Sequence, residues 1–302
     1  MKIPEYPEFA PLELAHGQEI SAFLSGMERP VSEWSFANLY LFRAPHGYRV
    51  SRRGALLLIK ARGYDGTPYL FPPWGEGDLA GAAKALCEDI SREGGDPVIS
   101  PVPRAIYEKW FSGPGWVGTP DRDGADYVYL RENLANLPGS RYHKKKNRLA
   151  KYLREVGDGY AYAPLADEHL DACLALARGW CEERCSIERP STFVETDAAV
   201  EALTLRRELG LSGGVGQVGG EVVAYCLGEP LNSDTFVVHF EKAAPGHDGA
   251  AQAINRDFCL HSLGGFKYVN REQDLGEPGL RQAKESYYPE YLAEKFRVRP
   301  ER

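Results

Sequence analysis

The sequence predicts an α/β chain of the α+β kind, made of two consecutive units, each a mixed, mostly antiparallel sheet flanked by helices. Three observations lead there. The 302 residues are about twice the length of a common domain. The order of strand and helix signals in the second half recurs in the first. Two local echoes fall at equivalent places in that order: FAPL at 9–12 against YAPL at 162–165, and GAAKAL at 81–86 against GAAQAI at 249–254. The LPG at 137–139, before the basic segment, sets the expected boundary near residue 138, giving units 1–138 and 139–302.

In the first half FAPLEL opens the pattern and two helical segments follow. YRVSR, ALLLIKA and TPYLF then read as strands, 78–93 as a helix, PVIS as a strand, PRAIYEKW as a helix and DYVYL as a strand. The second half begins with the strand YAYAPL, followed by helices over 166–186 and 196–209. Three successive strands come next, SGGVGQV, EVVAYCLGEP and DTFVVHFEKA. A helix over 248–263, a strand FKYVN, a helical stretch at 278–286 and a strand EKFRV complete it.

Composition narrows the class. Hydrophobic content of 43% and charged content of 26% are those of an ordinary globular chain. The N-terminal MKIPEYPEFAPLEL lacks the apolar core of a signal peptide, and runs such as ALLLI are too short to span a bilayer, so a cytoplasmic location is expected. The six cysteines read as thiols. His169, Cys173, Cys181 and Cys185 cluster in sequence, but on one helix Cys173 and Cys181 stand about 12 Å apart along the axis, which excludes a shared metal. No metal site is expected.

Charge is unevenly placed. Against a formal net charge of -7, the segment SRYHKKKNRLAKYLREVG (140–157) holds seven Lys or Arg and no acid before Glu155. On a helix, Leu149, Tyr152, Leu153 and Val156 face inward, leaving a face of one sign. Arg141, Lys144, Lys145, Lys146, Arg148 and Lys151 are therefore candidate phosphate contacts, with Tyr142 and His143 as candidate stacking groups for RNA bases. Tethering of an acidic first unit is the competing explanation.

Two glycine-rich segments differ in context. GVGQVG (Gly214, Gly216, Gly219) matches a dinucleotide fingerprint, yet a strand follows it where a helix is required, so Gly219 and Gly220 read as a hairpin turn. APGHDGAAQAIN lies between a strand and a helix, and its small residues would let helix N-terminal amides approach a diphosphate. Gly246, Gly249, Ala250, Ala251 and Asn255 are the candidate donor-binding residues, joined by Lys284 further on. An ordinary loop before a core helix is the plainer alternative.

Alternation in DTFVVHFEKA places His239 and Glu241 on one face, where either is a candidate for proton removal from an acceptor. The alternative is that Glu241 pairs with a basic neighbour and His239 sits in a satisfied hydrogen bond. Asn270, Glu272 and Asp274, just past the strand FKYV, are candidates for acceptor recognition or for ordering the loop. Asp274, with Glu277, has capping of the following helix as its alternative. Tyr287 is a candidate hydrogen-bond donor.

The element order is that of the GNAT acyltransferase fold, present twice. HFEKAAPGHDGAAQAIN (239–255) with FKYVNREQDLGEPGLRQAKESYYP (266–289) resembles the family that includes the C-terminal, catalytic part of phosphatidylglycerol lysyltransferases. SEWSFANLYLF (32–42) and RYHKKKNRL extend the resemblance over nearly the whole chain, and the family is similar to Fem-type peptidyltransferases. The resemblance implies a tandem GNAT-like fold and transfer of an activated acyl group, carried as aminoacyl-tRNA in its lipid-modifying members. The expected donor is thus aminoacyl-tRNA or acyl-CoA, with no tightly bound cofactor. The acceptor is expected to be a small molecule, lipid headgroup or peptide. A CoA-dependent N-acyltransferase and a noncatalytic binding module on a degenerate scaffold are the other two readings.

Overall fold

The computed structural model describes residues 2–25, 31–184 and 190–301. In chain order the elements of the first half are β1 (Ala10–Pro11), α1 (Gly17–Ser25), α2 (Phe36–Leu41), α3 (Arg43–His46), β2 (Arg49–Arg53), β3 (Leu56–Arg62), β4 (Pro68–Leu70), β5 (Trp74–Gly75), α4 (Leu79–Arg92), β6 (Ile99–Pro103) and the short α5 (Arg104–Ile106). They continue through β7 (Trp116–Leu130), α6 (Arg131–Asn136), α7 (His143–Val156), β8 (Tyr160–Pro164), α8 (Leu170–Arg184), α9 (Pro190–Thr204), β9 (Ser212–Val218) and β10 (Glu221–Pro230). The last are β11 (Thr235–Ala243), α10 (Ala250–His261), β12 (Tyr268–Asn270), α11 (Pro278–Glu285) and β13 (Tyr291–Pro300).

Compactness divides the chain into two units. One comprises Met1–Asp126, Gln273–Arg281 and Leu292–Arg302, the other Tyr127–Glu272 and Gln282–Tyr291. The sequence reading set the boundary near 138; the division instead falls inside β7, and the chain's last strand belongs to the first unit. The reason is a strand exchange. In the first unit β1, β2, β3 and β4 pair antiparallel in that order, β4 pairs parallel with β6, and β6 pairs antiparallel with β13. In the second unit β8, β9, β10 and β11 pair antiparallel, β11 pairs parallel with β12, and β12 pairs antiparallel with the end of β7. The two sheets repeat one pattern, but each takes its final strand from the other half of the chain.

Local chemistry repeats as well. His16 Nδ1 accepts the Glu13 N–H at 3.1 Å, and His169 Nδ1 accepts the Ala166 N–H at 3.0 Å, each after a Pro-Leu pair that leaves the opening strand. Both rings close a turn of 3₁₀ helix by taking a backbone donor that would otherwise go unpaired. The duplication seen in FAPL and YAPL therefore extends to a shared cap.

In the first unit Asp78 caps α4 by accepting the Gly81 N–H at 2.8 Å. Leu79, Ala82, Ala83, Leu86, Cys87 and Ile90 recur at helical spacing and bury against Leu56, Leu58, Leu70, Ile99, Val102, Phe296 and Val298 of the sheet. Each large aliphatic side chain removed from water this way contributes about 1.5–3 kcal/mol. One buried polar group stands out in this apolar setting. Lys295, 1% exposed, donates to Glu33 at 2.6 and 2.7 Å and to Asp126 at 2.6 Å, and Asp126 also accepts the Ser32 N–H at 2.7 Å. This triad explains the acid in SEWSF.

In the second unit β10 and β11 are buried along most of their length. The predicted hairpin turn is present at Gly219 and Gly220, with φ of 60° and 87°. Register shifts once: Leu227 faces Phe240 but Gly228 faces Val238, which leaves His239 as the extra residue of a β-bulge. A Cβ at Gly228 would lie 1.9 Å from the Val237 carbonyl oxygen, so the close approach at this bulge requires glycine. The bulge breaks the plain alternation assumed for His239 and Glu241.

Candidate functional site

The candidate site lies in the second unit, where β11, the segment after β12, α10 and α7 bring charged groups together. Glu241 of β11 is its hub. Asn255 Nδ2 donates to Glu241 at 3.0 Å, and Arg271 Nη2 donates to both of its carboxylate oxygens at 3.1 Å. The two partners thereby use one nitrogen each. Arg271 Nη1 and Asn255 Oδ1 remain, both buried and with no hydrogen-bond partner among the described residues. An unpaired donor and an unpaired acceptor buried beside one carboxylate are costly in a folded chain unless a ligand or water meets them.

The guanidinium of Arg271 lies 5.1 Å from the centroid of the Tyr287 ring, and Lys145 Nζ lies 4.1 Å from the same centroid. Lys145 is half-buried and makes no ion pair among the described residues. Burial, followed by the charges of Arg271 and Arg148, lowers its pKa to about 8, against the pull of Glu241. Burial raises the Tyr287 hydroxyl to about 12, so it stays protonated as a donor near neutral pH.

His239 is not a free base. Its Nδ1 stands 2.8 Å from Glu272 and its Nε2 3.1 Å from Glu229, with the ring 1% exposed. Burial alone would lower its pKa, but hydrogen bonds to Glu229 and Glu272 and their charges raise it to about 10. At neutral pH it is a clamped imidazolium. Both plainer alternatives, a paired Glu241 and a satisfied His239, describe the structure.

The other expected residues divide into three groups. Asn270 is fully buried and its Oδ1 accepts the Glu272 N–H at 2.7 Å, which orders the loop and holds Glu272 at a φ of 56°. Lys284 Nζ donates to the carbonyl oxygens of Arg271 at 2.5 Å and Glu272 at 3.1 Å, so it ties this loop down. Asp274 groups with the first unit, where it accepts from Arg281 at 2.8 Å, Arg122 at 3.2 Å and the Gly276 N–H at 2.9 Å. It is a structural clamp, close to the capping alternative.

The glycine turn differs from expectation. Gly246 has a φ of 80° and open space around it, but Gly249, with a φ of 130°, is buried beneath α7. A Cβ there would lie 2.4 Å from Tyr152 Cβ. The Ala250 N–H is taken by His247 O at 3.0 Å, and Tyr152 Oη meets His247 Nδ1 at 3.3 Å. Ala250 is fully buried and Ala251 partly so. Gly249 is glycine because a neighbouring helix packs against it, and the Ala250 N–H expected to contribute to a diphosphate cradle is already taken by His247 O. Of the donor-binding candidates, Asn255 alone belongs to the polar hub.

The basic segment of α7 and the turn before it divides by face. Leu149 and Tyr152 are buried as expected, and Arg141, Lys144, Lys146, Arg148 and Lys151 are exposed, while Lys145 turns toward Tyr287. Arg148 pairs with Asp248, Lys151 with Glu155 at 3.6 Å, and Arg141 lies over Tyr142 and Tyr288. Tyr142 is not available to stack on bases: it is fully buried and its hydroxyl donates to Tyr287 O at 3.0 Å. Among the described residues no group of three His, Cys, Asp or Glu could hold a metal, and Cys185 lies outside them. No helix among them is long and apolar enough to cross a membrane.

Sequence reasoning missed Arg271 and Glu229 as site residues, and counted Lys145, which turns toward Tyr287, among the candidate phosphate contacts. Arg271 sits in the NREQD string, and its signal was a lone cation among carboxylates and amides. Glu229 gave none.

The fold is acyl/aminoacyl transferase-like, with two GNAT-like units in tandem. The chain belongs to the family described as phosphatidylglycerol lysyltransferase, C-terminal, whose model matches residues 25–299. It is similar to a conserved protein of unknown function from Bacteroides thetaiotaomicron, 32% identical over 97% of this chain and 99% of that one, with a TM-score of 0.88. L-PGS from Bacillus licheniformis shares the fold at 15% identity and a TM-score of 0.63, over 99% of this chain and 94% of that one. FemX does so at 10% identity and a TM-score of 0.57, over 96% of each chain. The search of curated proteins gives no match.

Proposed function

We propose that this protein is an aminoacyltransferase that moves an aminoacyl group from aminoacyl-tRNA to an amine or hydroxyl acceptor at the Glu241–Arg271–Asn255 site. The observation that carries the reading is the buried pair left open beside Glu241, Arg271 Nη1 as donor and Asn255 Oδ1 as acceptor. An aminoacyl ester offers the complement. Its carbonyl oxygen, negative in the tetrahedral intermediate, takes the guanidinium donor, and its amino group takes the amide oxygen.

Two features favour tRNA over CoA as carrier. The exposed Lys144 and Lys146 form no ion pair among the described residues and lie on the same helix as Lys145. In the Gly249 turn, where a CoA diphosphate would bind, the Ala250 N–H is already taken by His247 O. An ester is already activated, so orientation and oxyanion stabilisation suffice without a covalent enzyme intermediate.

The test is hydrogen exchange on the full chain with three additions: a mixed aminoacyl-tRNA pool, the same pool uncharged, and acetyl-CoA. Aminoacyl-tRNA is expected to protect 141–151 together with 239–255 and 268–273, uncharged tRNA only 141–151, and acetyl-CoA neither. Replacing Lys144 and Lys146 by Gln is expected to flatten the salt dependence of tRNA binding by about 0.7–0.9 per lost phosphate contact. Protection of 241–255 by acetyl-CoA alone would favour a CoA-dependent N-acyltransferase. Protection by none of the three would leave a binding module.

A further inference from the structure

Transfer to a neutral amine or hydroxyl requires a group that accepts a proton as the new bond forms, and the conspicuous bases of the second unit are occupied. His239 is held on both nitrogens by Glu229 and Glu272. Glu241 is held by Arg271 and Asn255. Lys145 alone among the cations around this hub has neither a carboxylate nor a carbonyl partner among the described residues, and its amine rests on the face of Tyr287.

We propose, resting on the aminoacyltransferase reading, that Lys145 is the proton acceptor of the transfer step. The neutral Lys145 amine takes the proton from the acceptor's N–H or O–H as that atom bonds to the ester carbonyl carbon. The resulting oxyanion is held by Arg271 Nη1. When the intermediate collapses, the carbon–oxygen bond to the tRNA ribose breaks and the Lys145 ammonium returns its proton to the departing ribose oxygen. Amine, proton and electron pairs balance without a further reactant.

The surroundings suit that role. Lys145 is faced by Tyr287 from the segment after α11, by Arg271 from the loop after β12, by Arg148 from its own helix and by Glu241 from β11. Two of these are cations, and one is an aromatic face that supports either protonation state. Burial and the cations together favour the neutral amine, as in lysines that act as general bases. Tyr287 thus acts as a positioning residue, setting the amine beside Arg271.

Two measurements on the full chain test this. Competitive acetylation with trace acetic anhydride from pH 6.5 to 10.5, read by mass spectrometry, gives the titration of Lys145, with Lys144 and Lys146 as internal comparisons. Half-maximal labelling of Lys145 near pH 8 is expected. Single-turnover transfer from the radiolabelled aminoacyl-tRNA pool, with glycerol as acceptor and hydrolysis counted alongside, should rise about tenfold per pH unit below 8 and level above it. Lys145→Arg keeps the charge but cannot take the proton. It should bind tRNA within about twofold of wild type, lose the pH-dependent limb and slow transfer about 10²- to 10³-fold. Lys145→Met should behave the same way if it folds. Labelling with a midpoint above pH 10, or a Lys145→Arg rate within threefold of wild type, sinks the proposal while the parent reading stands. A midpoint near 8 with no wild-type transfer or hydrolysis sinks the parent reading, and the proton-acceptor role with it.

Discussion

Replacing Gly249 by Ala adds one methyl group at a position where the chain leaves no room for it. The backbone holds Gly249 at a φ of 130°, outside every region an L side chain readily occupies, and strain of this kind costs about 1–3 kcal/mol. The new Cβ would meet Tyr152 Cβ at 2.4 Å and its Cγ at 2.8 Å, on a part of the side chain that moves only with α7 itself. Overpacking adds about 1–3 kcal/mol. The expected loss is therefore about 2–6 kcal/mol, felt in α7 and α10 together. Gly246→Ala is the control, because it has a positive φ of 80° but nothing within 4 Å, so only backbone strain of about 1–2 kcal/mol applies. Hydrogen exchange on peptides of α7 and α10 reads the opening free energy of both variants. Equal protection in the two, within about 0.5 kcal/mol, would refute the claim that this glycine serves helix packing.

The clamped imidazolium has its own pH signature. With its pKa raised to about 10 from an ordinary 6.5, His239 contributes stability that is present in full below about pH 6.5 and lost as pH rises through 10. His239→Gln should cost about 3–5 kcal/mol at pH 7, by leaving Glu229 and Glu272 buried without their cation, and should flatten stability between pH 7 and 10 in urea melts. A variant as pH-dependent as wild type would contradict the clamp. In the first unit, Lys295→Met removes the cation shared by Glu33 and Asp126 and should cost about 3–5 kcal/mol, recovered in part at lower pH because burial already raises Glu33 to about 7. A loss under 1 kcal/mol in thermal melts would show the triad to be dispensable.

What the sequence alone determined is the order and kind of the elements. Alternating and apolar runs set β9, β10 and β11, helical spacing set α4 and α10, and the paired glycines set the turn at 219–220, because each depends on residues close in the chain. The inward Leu149 and Tyr152 and the exposed charges of α7 were legible for the same reason. Tertiary structure decided the rest. Strand pairing is nonlocal, and β7 and β13 carry the same local pattern whichever sheet they complete, so their exchange left no mark in the sequence. Gly249 reads alike whether a phosphate or Tyr152 approaches it. His239 became a fixed cation and Lys145 an open amine through partners 10 to 142 residues away, since a titratable group's protonation follows the charges and burial that folding brings to it.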